Sequence, residues 1–198
     1  PPEPSRRQRQ MCIRDRVPPE HLGWHIRDAV RIAGAKRIGH GIDISYDPDM
    51  YQTLQLMAEG EVAVEINLTS NDVILGVSGK DHPISIYLEN SVPITISTDD
   101  EGVSRINLTH EYQRAVETFD LAYETIKTIS RNALQYSFLP GSSLFQNTMD
   151  GSLDNECRKG LPQDLEDRSN CSDFILQSEK ALMQWQLEKD FTSFEANF

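Results

Sequence analysis

Residues 92–101 read Val-Pro-Ile-Thr-Ile-Ser-Thr-Asp-Asp-Glu, and this stretch decides the fold class. Its apolar first half predicts a buried strand over residues 92–97. The acidic run that begins at Asp99 places charged groups directly after that strand. In parallel βα architectures, functional residues gather at this end of the strands. The stretch therefore predicts a strand of a parallel sheet and one side of a site.

Two earlier stretches have the same form. A short strand over residues 37–40 runs into Gly39-His40-Gly41, and a strand over 62–67 is followed by Thr69-Ser70-Asn71. Helical periodicity is found around and between the strands, at 22–33, 47–60, 83–88, 108–119 and from Asp120 to just before Pro140, whereas 68–81 is predicted to be a loop. Strands that alternate with helices are typical of βα units on a parallel sheet, so the sequence predicts an α/β fold with about three such units.

The two ends of the chain differ from this pattern. Residues 1–16 carry five arginines and no periodicity, so we interpret them as a foreign or disordered segment rather than a basic binding arm. Residues 142–172 are polar and rich in turn formers, which predicts a surface excursion. A last helix is predicted within 173–198, with Leu176, Met183, Leu187 and Phe191 on its packing face.

Cys157 and Cys171 leave two alternatives open. They close a short disulfide loop if the protein is exported, and otherwise they are two free thiols.

Composition excludes some classes of partner. The net charge of −12 and the pI near 4.8 argue against nucleic-acid binding, which needs basic surface to neutralise phosphates. No run of about 18 apolar residues exists, so no membrane span is predicted. A small-molecule partner is favoured, while the oligomeric state and the compartment stay open.

The strand ends supply the candidate site residues. Asp99 and Asp100 are adjacent carboxylates, which repel each other unless a cation or hydrogen-bond donors neutralise them; the alternative is a solvated helix start. His40, between two glycines, can serve as acid, base or ligand, or else as a structural residue. Glu65 is a weaker candidate acid with a structural hydrogen bond as its alternative, and His82 is more consistent with fixing a loop.

Four stretches carry a family resemblance. Arg37-Ile-Gly-His-Gly41, the Glu65–Asn71 stretch, His82-Pro83 and residues 92–100, in this order, resemble the adenosine deaminase family of metal-dependent amidohydrolases. The resemblance implies that residues 17–141 are the C-terminal part of a TIM-type (β/α)₈ barrel. It also implies an enzyme that hydrolyses adenosine to inosine and ammonia with a zinc-bound hydroxide.

The resemblance also implies roles for single residues. Asp99 would be a zinc ligand and would orient the attacking water, His40 would polarise the forming hydroxide, and Asp100 would hydrogen-bond the purine. The family's two histidines in a His-x-His, its third zinc histidine and its proton-shuttling glutamate have no match in this sequence. We therefore expect this chain by itself neither to bind zinc tightly nor to deaminate adenosine.

Three alternatives stay open at this point. The protein could be a deaminase of another amino-purine, a non-catalytic barrel remnant that acts as a binding module, or a metal-binding hydrolase that does not deaminate.

Overall fold

The computed structural model describes residues 22–197, which divide after Leu121 into two compact units. We call residues 22–121 the site unit and residues 122–197 the stapled unit. The interpretation of residues 1–16 lies outside the described residues.

A parallel sheet forms the centre of the site unit. Its strands are β1 (Arg37–Gly39), β2 (Ala63–Ile66) and β3 (Ile94–Ile96), and they lie side by side in chain order. Ile38 lies opposite Val64 on the neighbouring strand, and Val64 lies opposite Ile94. The predicted α/β class with a parallel sheet is confirmed.

Helices connect the strands of the site unit. They are α1 (His25–Arg31), α2 (Met50–Glu59), α3 (Leu68–Leu75), α4 (Ile84–Glu89), α5 (Glu101–Ser104) and α6 (Leu108–Phe119), with 3₁₀ turns at Ile42–Tyr46 and Gly79–Asp81. The prediction of a loop over 68–81 was wrong for its first half. The first turn of α3, Leu68 to Asn71, is buried although three of its four residues are polar. Apolar periodicity cannot detect a helix whose buried side is polar.

Two helices begin later than the sequence predicts, at Met50 instead of residue 47 and at Tyr123 instead of Asp120. The carboxylate of Asp47 accepts hydrogen bonds from the Asp49 backbone N–H at 2.8 Å and the Thr53 hydroxyl at 2.7 Å, so the helix begins after this turn, at Met50. Asp120 ends α6 in the left-handed conformation, with φ 52°, and does not cap the helix that follows. Asp favours turns of both kinds, which is why its position alone does not separate a helix start from a helix end.

Apolar side chains from the strands and flanking helices form the core of the site unit. Those exposed by 1% or less are Ile44, Leu54, Met57, Ala63, Val64, Ile66, Ile84, Tyr87, Ile94 and Ala115. Because strands β2 and β3 are covered on both faces, nearly all their residues are buried, as expected of a parallel sheet.

The stapled unit is built mainly from three helices. They are α7 (Tyr123–Gln135), α8 (Asn170–Leu176) and α9 (Glu179–Glu195); a hairpin of β4 (Phe145–Asn147) and β5 (Ser152–Leu153) and a 3₁₀ turn (Asn155–Cys157) lie between α7 and α8. Helix α9 packs against both α7 and α8. Within residues 22–197, no helix is both long enough and apolar enough to cross a membrane.

Cys157 and Cys171 form a disulfide, which decides between the two alternatives left by the sequence. The bridge is part of a hydrophobic cluster whose other buried members are Leu144, Phe145, Ile175, Ala181 and Trp185. The indole N–H of Trp185 donates to the carbonyl oxygen of Pro162 at 2.9 Å. The bridge therefore ties the segment between the hairpin and α8 to the helical core.

The last helix differs from its prediction. The chain breaks between α8 and α9, where the Ser178 hydroxyl caps α9 by accepting from the Ala181 N–H at 3.1 Å. Because the break shifts the helical phase, Leu176 and Met183 are exposed by 58% and 45%. The buried face instead contains Ala181, Gln184 and Trp185.

Candidate functional site

Polar side chains from three successive βα connections meet at the carboxyl edge of the sheet. His40 follows β1, Ser70 lies on α3 after β2, and Asp99 follows β3. His40 Nε2 lies 3.8 Å from Asp99 Oδ2, and the Ser70 hydroxyl donates to the same oxygen at 2.7 Å. The structure thus brings together His40 and Asp99, the two residues that the sequence predicts to be catalytic.

The backbone at both strand ends is left-handed. His40 has φ 64° and Asp99 has φ 55°, values that residues with a side chain rarely adopt. Gly41, with φ 61°, is also tightly packed, since a Cβ there would lie 2.6 Å from Val64 Cγ1 and 2.7 Å from the Tyr87 hydroxyl. Backbone conformations of this kind are held in place by their surroundings and cluster at functional sites.

A second layer of polar groups lies behind His40. His40 Nδ1 is 2.7 Å from the side-chain amide of Asn71, whose other end is 2.8 Å from His82 Nε2. Asn71 is fully buried and His82 is only 3% exposed. Burial, together with the positive charge of Arg114 and the nearby His40, lowers the pKa of His82 to about 4, so its ring is neutral at pH 7.

Helix α6 supports this layer through two charged residues. The fully buried carboxylate of Glu111 accepts from the Thr69 backbone N–H at 3.3 and 3.2 Å. Arg114 donates to the Thr69 hydroxyl at 3.2 Å and to Asp72, whose pKa it lowers. The sequence reasoning missed both residues as site supports. Glu111 could have been found from the sequence as a carboxylate on the buried face of an amphipathic helix, four residues before Ala115.

The other candidate carboxylates have different surroundings. Asp100 is half-buried and stands at the N-terminus of α5, where its side chain makes no capping hydrogen bond. Glu65 forms an ion pair with Arg37 on the neighbouring strand at 2.7 Å. That pairing gives Glu65 a structural role between β1 and β2, which is the alternative that the sequence left open for it.

A metal site needs more ligands than this edge provides. Tight zinc sites in proteins use at least three side-chain ligands. Across residues 22–197, no group of three or more histidine, cysteine or carboxylate side chains is arranged to hold a metal ion. The described residues by themselves therefore do not fit a zinc site, although Asp99 offers one well-oriented carboxylate.

An α/β protein whose polar residues converge at the carboxyl edge of a parallel sheet is typical of enzymes of the barrel and open-sheet classes. The family model described as adenosine deaminase matches residues 20–146. The chain belongs to the adenosine deaminase family.

Individual relatives agree with this assignment. The chain is 38% identical over 117 residues to an adenosine deaminase of Clostridium perfringens, covering 59% of this chain and 34% of that protein. It is also 38% identical over 114 residues to one of Vibrio vulnificus, covering 56% of this chain and 34% of that protein. The chain spans about a third of the length of the curated relatives it matches.

A solved structure is similar in fold. The adenine deaminase of Arthrobacter aurescens superposes with a TM-score of 0.52 at 20% identity, covering 64% of this chain and 37% of that chain. At this identity the similarity concerns the fold alone.

Proposed function

We propose that these residues belong to a hydrolytic deaminase of amino-purines, with adenosine as the leading substrate. One observation carries the proposal. In a chain of the adenosine deaminase family, His40 and Asp99 meet at the carboxyl edge of the sheet with 3.8 Å between Nε2 and Oδ2. Both residues are partly open to solvent, with side chains exposed by 21% and 16%, so a small substrate can reach them.

The proposed architecture is the C-terminal part of a (β/α)₈ barrel. Three parallel strands in chain order, each followed by helical connections, are what three consecutive units of such a barrel contain. In this proposal residues 17–141 are the barrel part, 142–172 an excursion and 173–198 a C-terminal helical segment.

Each site residue has a proposed role. Asp99 is the carboxylate that would bind the metal and orient the attacking water; the hydrogen bond from Ser70 holds its Oδ2 in place. His40 presents Nε2 beside that oxygen and would polarise the attacking group. Asp100, without a capping bond to occupy it, would hydrogen-bond the purine ring.

The proposed cofactor is zinc, which in hydrolases lowers the pKa of bound water towards neutrality. Because the described residues do not complete a metal site, their own roles are confined to orienting Asp99, His40 and Asp100 around the substrate. For the same reason we expect the isolated chain to release no ammonia from adenosine.

A chimera tests the proposal. Residues 20–146 of this chain would replace the matching segment of the Clostridium perfringens relative, and ammonia release would be measured with adenosine, adenine and adenosine monophosphate. We expect release from adenosine by the chimera and none by the 198-residue chain. A preference for another of these compounds would reassign the substrate. A folded chimera inactive on all three would contradict the deaminase proposal.

Substitutions in the chimera test the site. Asp99→Asn is expected to lower kcat/KM by at least about 100-fold, the effect of removing one stabilising group from an active site. Asp120→Asn is the matched control, since Asp120 is exposed at the end of α6 and Asn tolerates its left-handed backbone. Equal activity of the two variants would remove Asp99 from the site.

A further inference from the structure

A continuous hydrogen-bonded path leads from the backbone of α4 to the ring of His40. The Ile84 N–H donates to His82 Nδ1 at 3.2 Å, His82 Nε2 contacts the Asn71 amide at 2.8 Å, and that amide contacts His40 Nδ1 at 2.7 Å. A peptide N–H can only donate, so the direction of the path is fixed at its first step.

The position of the proton on the His82 ring follows from this first step. Its Nδ1 accepts from a peptide N–H, so Nδ1 carries no proton in the neutral ring. The single proton of the ring is therefore on Nε2, which donates towards Asn71. The low pKa of His82 excludes the doubly protonated form near neutral pH.

The orientation of the Asn71 amide follows in turn. A donor at His82 Nε2 requires the amide oxygen on that side, which leaves the amide nitrogen facing His40 Nδ1. In the structure Asn71 Oδ1 faces His40 Nδ1 at 2.7 Å and Nδ2 faces His82 Nε2 at 2.8 Å, so the inferred orientation requires the amide oxygen and nitrogen to exchange places. The exchange leaves both heavy-atom distances unchanged, and it gives the neutral His82 ring one donor and one acceptor instead of two acceptors. In the opposite orientation the Asn71 amide nitrogen would donate to His82 Nε2, so the single proton of the neutral His82 ring would be on Nδ1. That proton would point at the hydrogen of the Ile84 N–H, and the hydrogen bond between Ile84 and His82 would be lost.

Asn67 is a second neighbour of the ring, and its amide favours a proton on Nδ1 of His40. When its amide is turned so that the nitrogen donates to the carbonyl oxygens of Ile66 and Ser97 at 3.3 and 3.1 Å, its oxygen faces His40 Nδ1. The separation is 3.4 Å, compared with 2.7 Å to Asn71. Since hydrogen bonds weaken with length, the Asn71 contact decides the ring.

We propose that His82 and Asn71 are positioning residues that fix the tautomer of His40, with its proton on Nε2. His40 then presents an N–H donor, and not a lone pair, on the side where Asp99 Oδ2 lies 3.8 Å away. In terms of the proposed function, on which this consequence rests, His40 acts on the substrate or the attacking water as a hydrogen-bond donor and not as a general base.

The test reads the protonated nitrogen directly and needs neither metal nor substrate. The full 198-residue chain, with ¹⁵N-labelled histidine, would be studied by long-range ¹H–¹⁵N NMR at about pH 8, above the ordinary histidine pKa. The five histidines would be assigned with single His→Gln variants. We expect the proton on Nε2 in both His40 and His82. A proton on Nδ1 of His40, or an averaged signal from its two nitrogens, would overturn the proposal.

One substitution should reverse the result. Asn71→Asp keeps the shape of the side chain but replaces the amide by a carboxylate, which only accepts. The proton of His40 is then expected to move to Nδ1, while His82 keeps its proton on Nε2. The matched control is Asn90→Asp, at the end of α4, where the amide donates only to the Ile86 carbonyl oxygen at 2.8 Å. The control should leave both rings unchanged.

Failure of this proposal is distinguishable from failure of the proposed function. A proton on Nδ1 of His40 in the unsubstituted chain overturns the proposal that His82 and Asn71 fix its tautomer, and it leaves the deaminase assignment untouched. An inactive chimera contradicts the deaminase assignment and leaves the NMR result standing. If Asn71→Asp fails to fold by circular dichroism, the measurement on the unsubstituted chain still decides the proposal.

Discussion

The site unit and the stapled unit are stabilised in different ways. The site unit buries many polar groups, and most of them, including Asn67, Thr69, Asn71, His82 and Glu111, lie near the carboxyl edge of the sheet. The stapled unit has a cluster of apolar side chains around a disulfide. Buried polar groups must be hydrogen-bonded and therefore fix one geometry, whereas a cross-link stabilises mainly by restricting the unfolded chain.

The two units also differ in how far the family match covers them. The family match ends at residue 146, within the hairpin of the stapled unit, so Cys157 and Cys171 both lie beyond it. A chemical site depends on exact hydrogen-bond geometry, while a stapled core tolerates changes that preserve volume and the bridge. Each unit contains one of the two tryptophans, Trp24 and Trp185, whose fluorescence can report on each unit separately.

The largest stability effect is expected from the disulfide. Replacing both Cys157 and Cys171 by serine should lower the free energy of unfolding of the stapled unit by about 3 kcal/mol, the value for a loop of roughly this length. Urea unfolding followed by Trp185 fluorescence in a Trp24→Phe background measures it. Reduction of the unsubstituted protein is the control, and it should produce a similar loss. An unchanged Trp185 transition would show that the bridge does not stabilise this unit.

His82 should make the stability of the site unit depend on pH. Its folded pKa of about 4 lies below the unfolded value of 6.5, so between these values the unfolded chain binds more protons. The contribution of His82 is therefore fully present above pH 6.5 and is lost as the pH falls towards 4, by up to about 3 kcal/mol. Arg114 and His40 are the charged or titratable groups that act on the His82 ring.

Unfolding of the site unit would be followed by Trp24 fluorescence between pH 4 and 6.5, the folded and unfolded pKa values of His82. The unsubstituted chain would be compared with His82→Phe. The variant should lose this part of the pH dependence. His110→Gln is the control, because His110 is exposed on α6. A pH dependence that survives in His82→Phe would assign it to other groups.

Gly41 should be the least replaceable glycine tested in the site unit. Gly41→Ala is expected to cost about 2 kcal/mol or more, since the left-handed backbone is combined with contacts below 3 Å to Val64 and Tyr87. Gly76→Ala has the same backbone strain, with φ 64°, but open space around its Cβ, and should cost about 1 kcal/mol. Thermal unfolding of the two variants compares them. Equal losses would mean that packing at Gly41 adds nothing.

The smallest effect is expected at the start of α9. Ser178→Ala removes the hydroxyl that caps the helix and should cost about 1 kcal/mol in the stapled unit. Ser193→Ala, on the exposed side of the same helix, is the control and should be close to neutral. Trp185 fluorescence during urea unfolding reports both. A loss in the control as large as in Ser178→Ala would contradict a specific capping role.

The sequence was most informative where local patterns and local physics agree. Helix α6 was predicted with both ends correct, Leu108–Phe119, because it has a clear apolar period and an Asn at its start, whose side chain accepts from the His110 N–H at 3.0 Å. The three strands were predicted to within two residues at each end. The polar strand ends pointed to His40 and Asp99, since few physical reasons other than function put such groups after buried strands.

The sequence was least informative where a side chain acts over a long distance along the chain. Glu111 supports Thr69 from 42 residues away, and Asn71 and His82 both reach His40 from other elements. Gln184, fully buried in α9, accepts from the Leu144 N–H at 2.7 Å, so a polar residue occupies a core position. Periodicity treats such residues as exposed, because it does not include their partners.

The sequence by itself determined the α/β class, the chain order of the βα units and the residues that stand at the strand ends. These follow from propensity and periodicity, which act over a few neighbouring residues. Only the tertiary structure decided which of those residues meet, that Cys157 and Cys171 pair, and through which amide His40 contacts His82. The physical reason is that hydrogen bonds and disulfides depend on ångström-scale positions, which are fixed only when distant segments pack together.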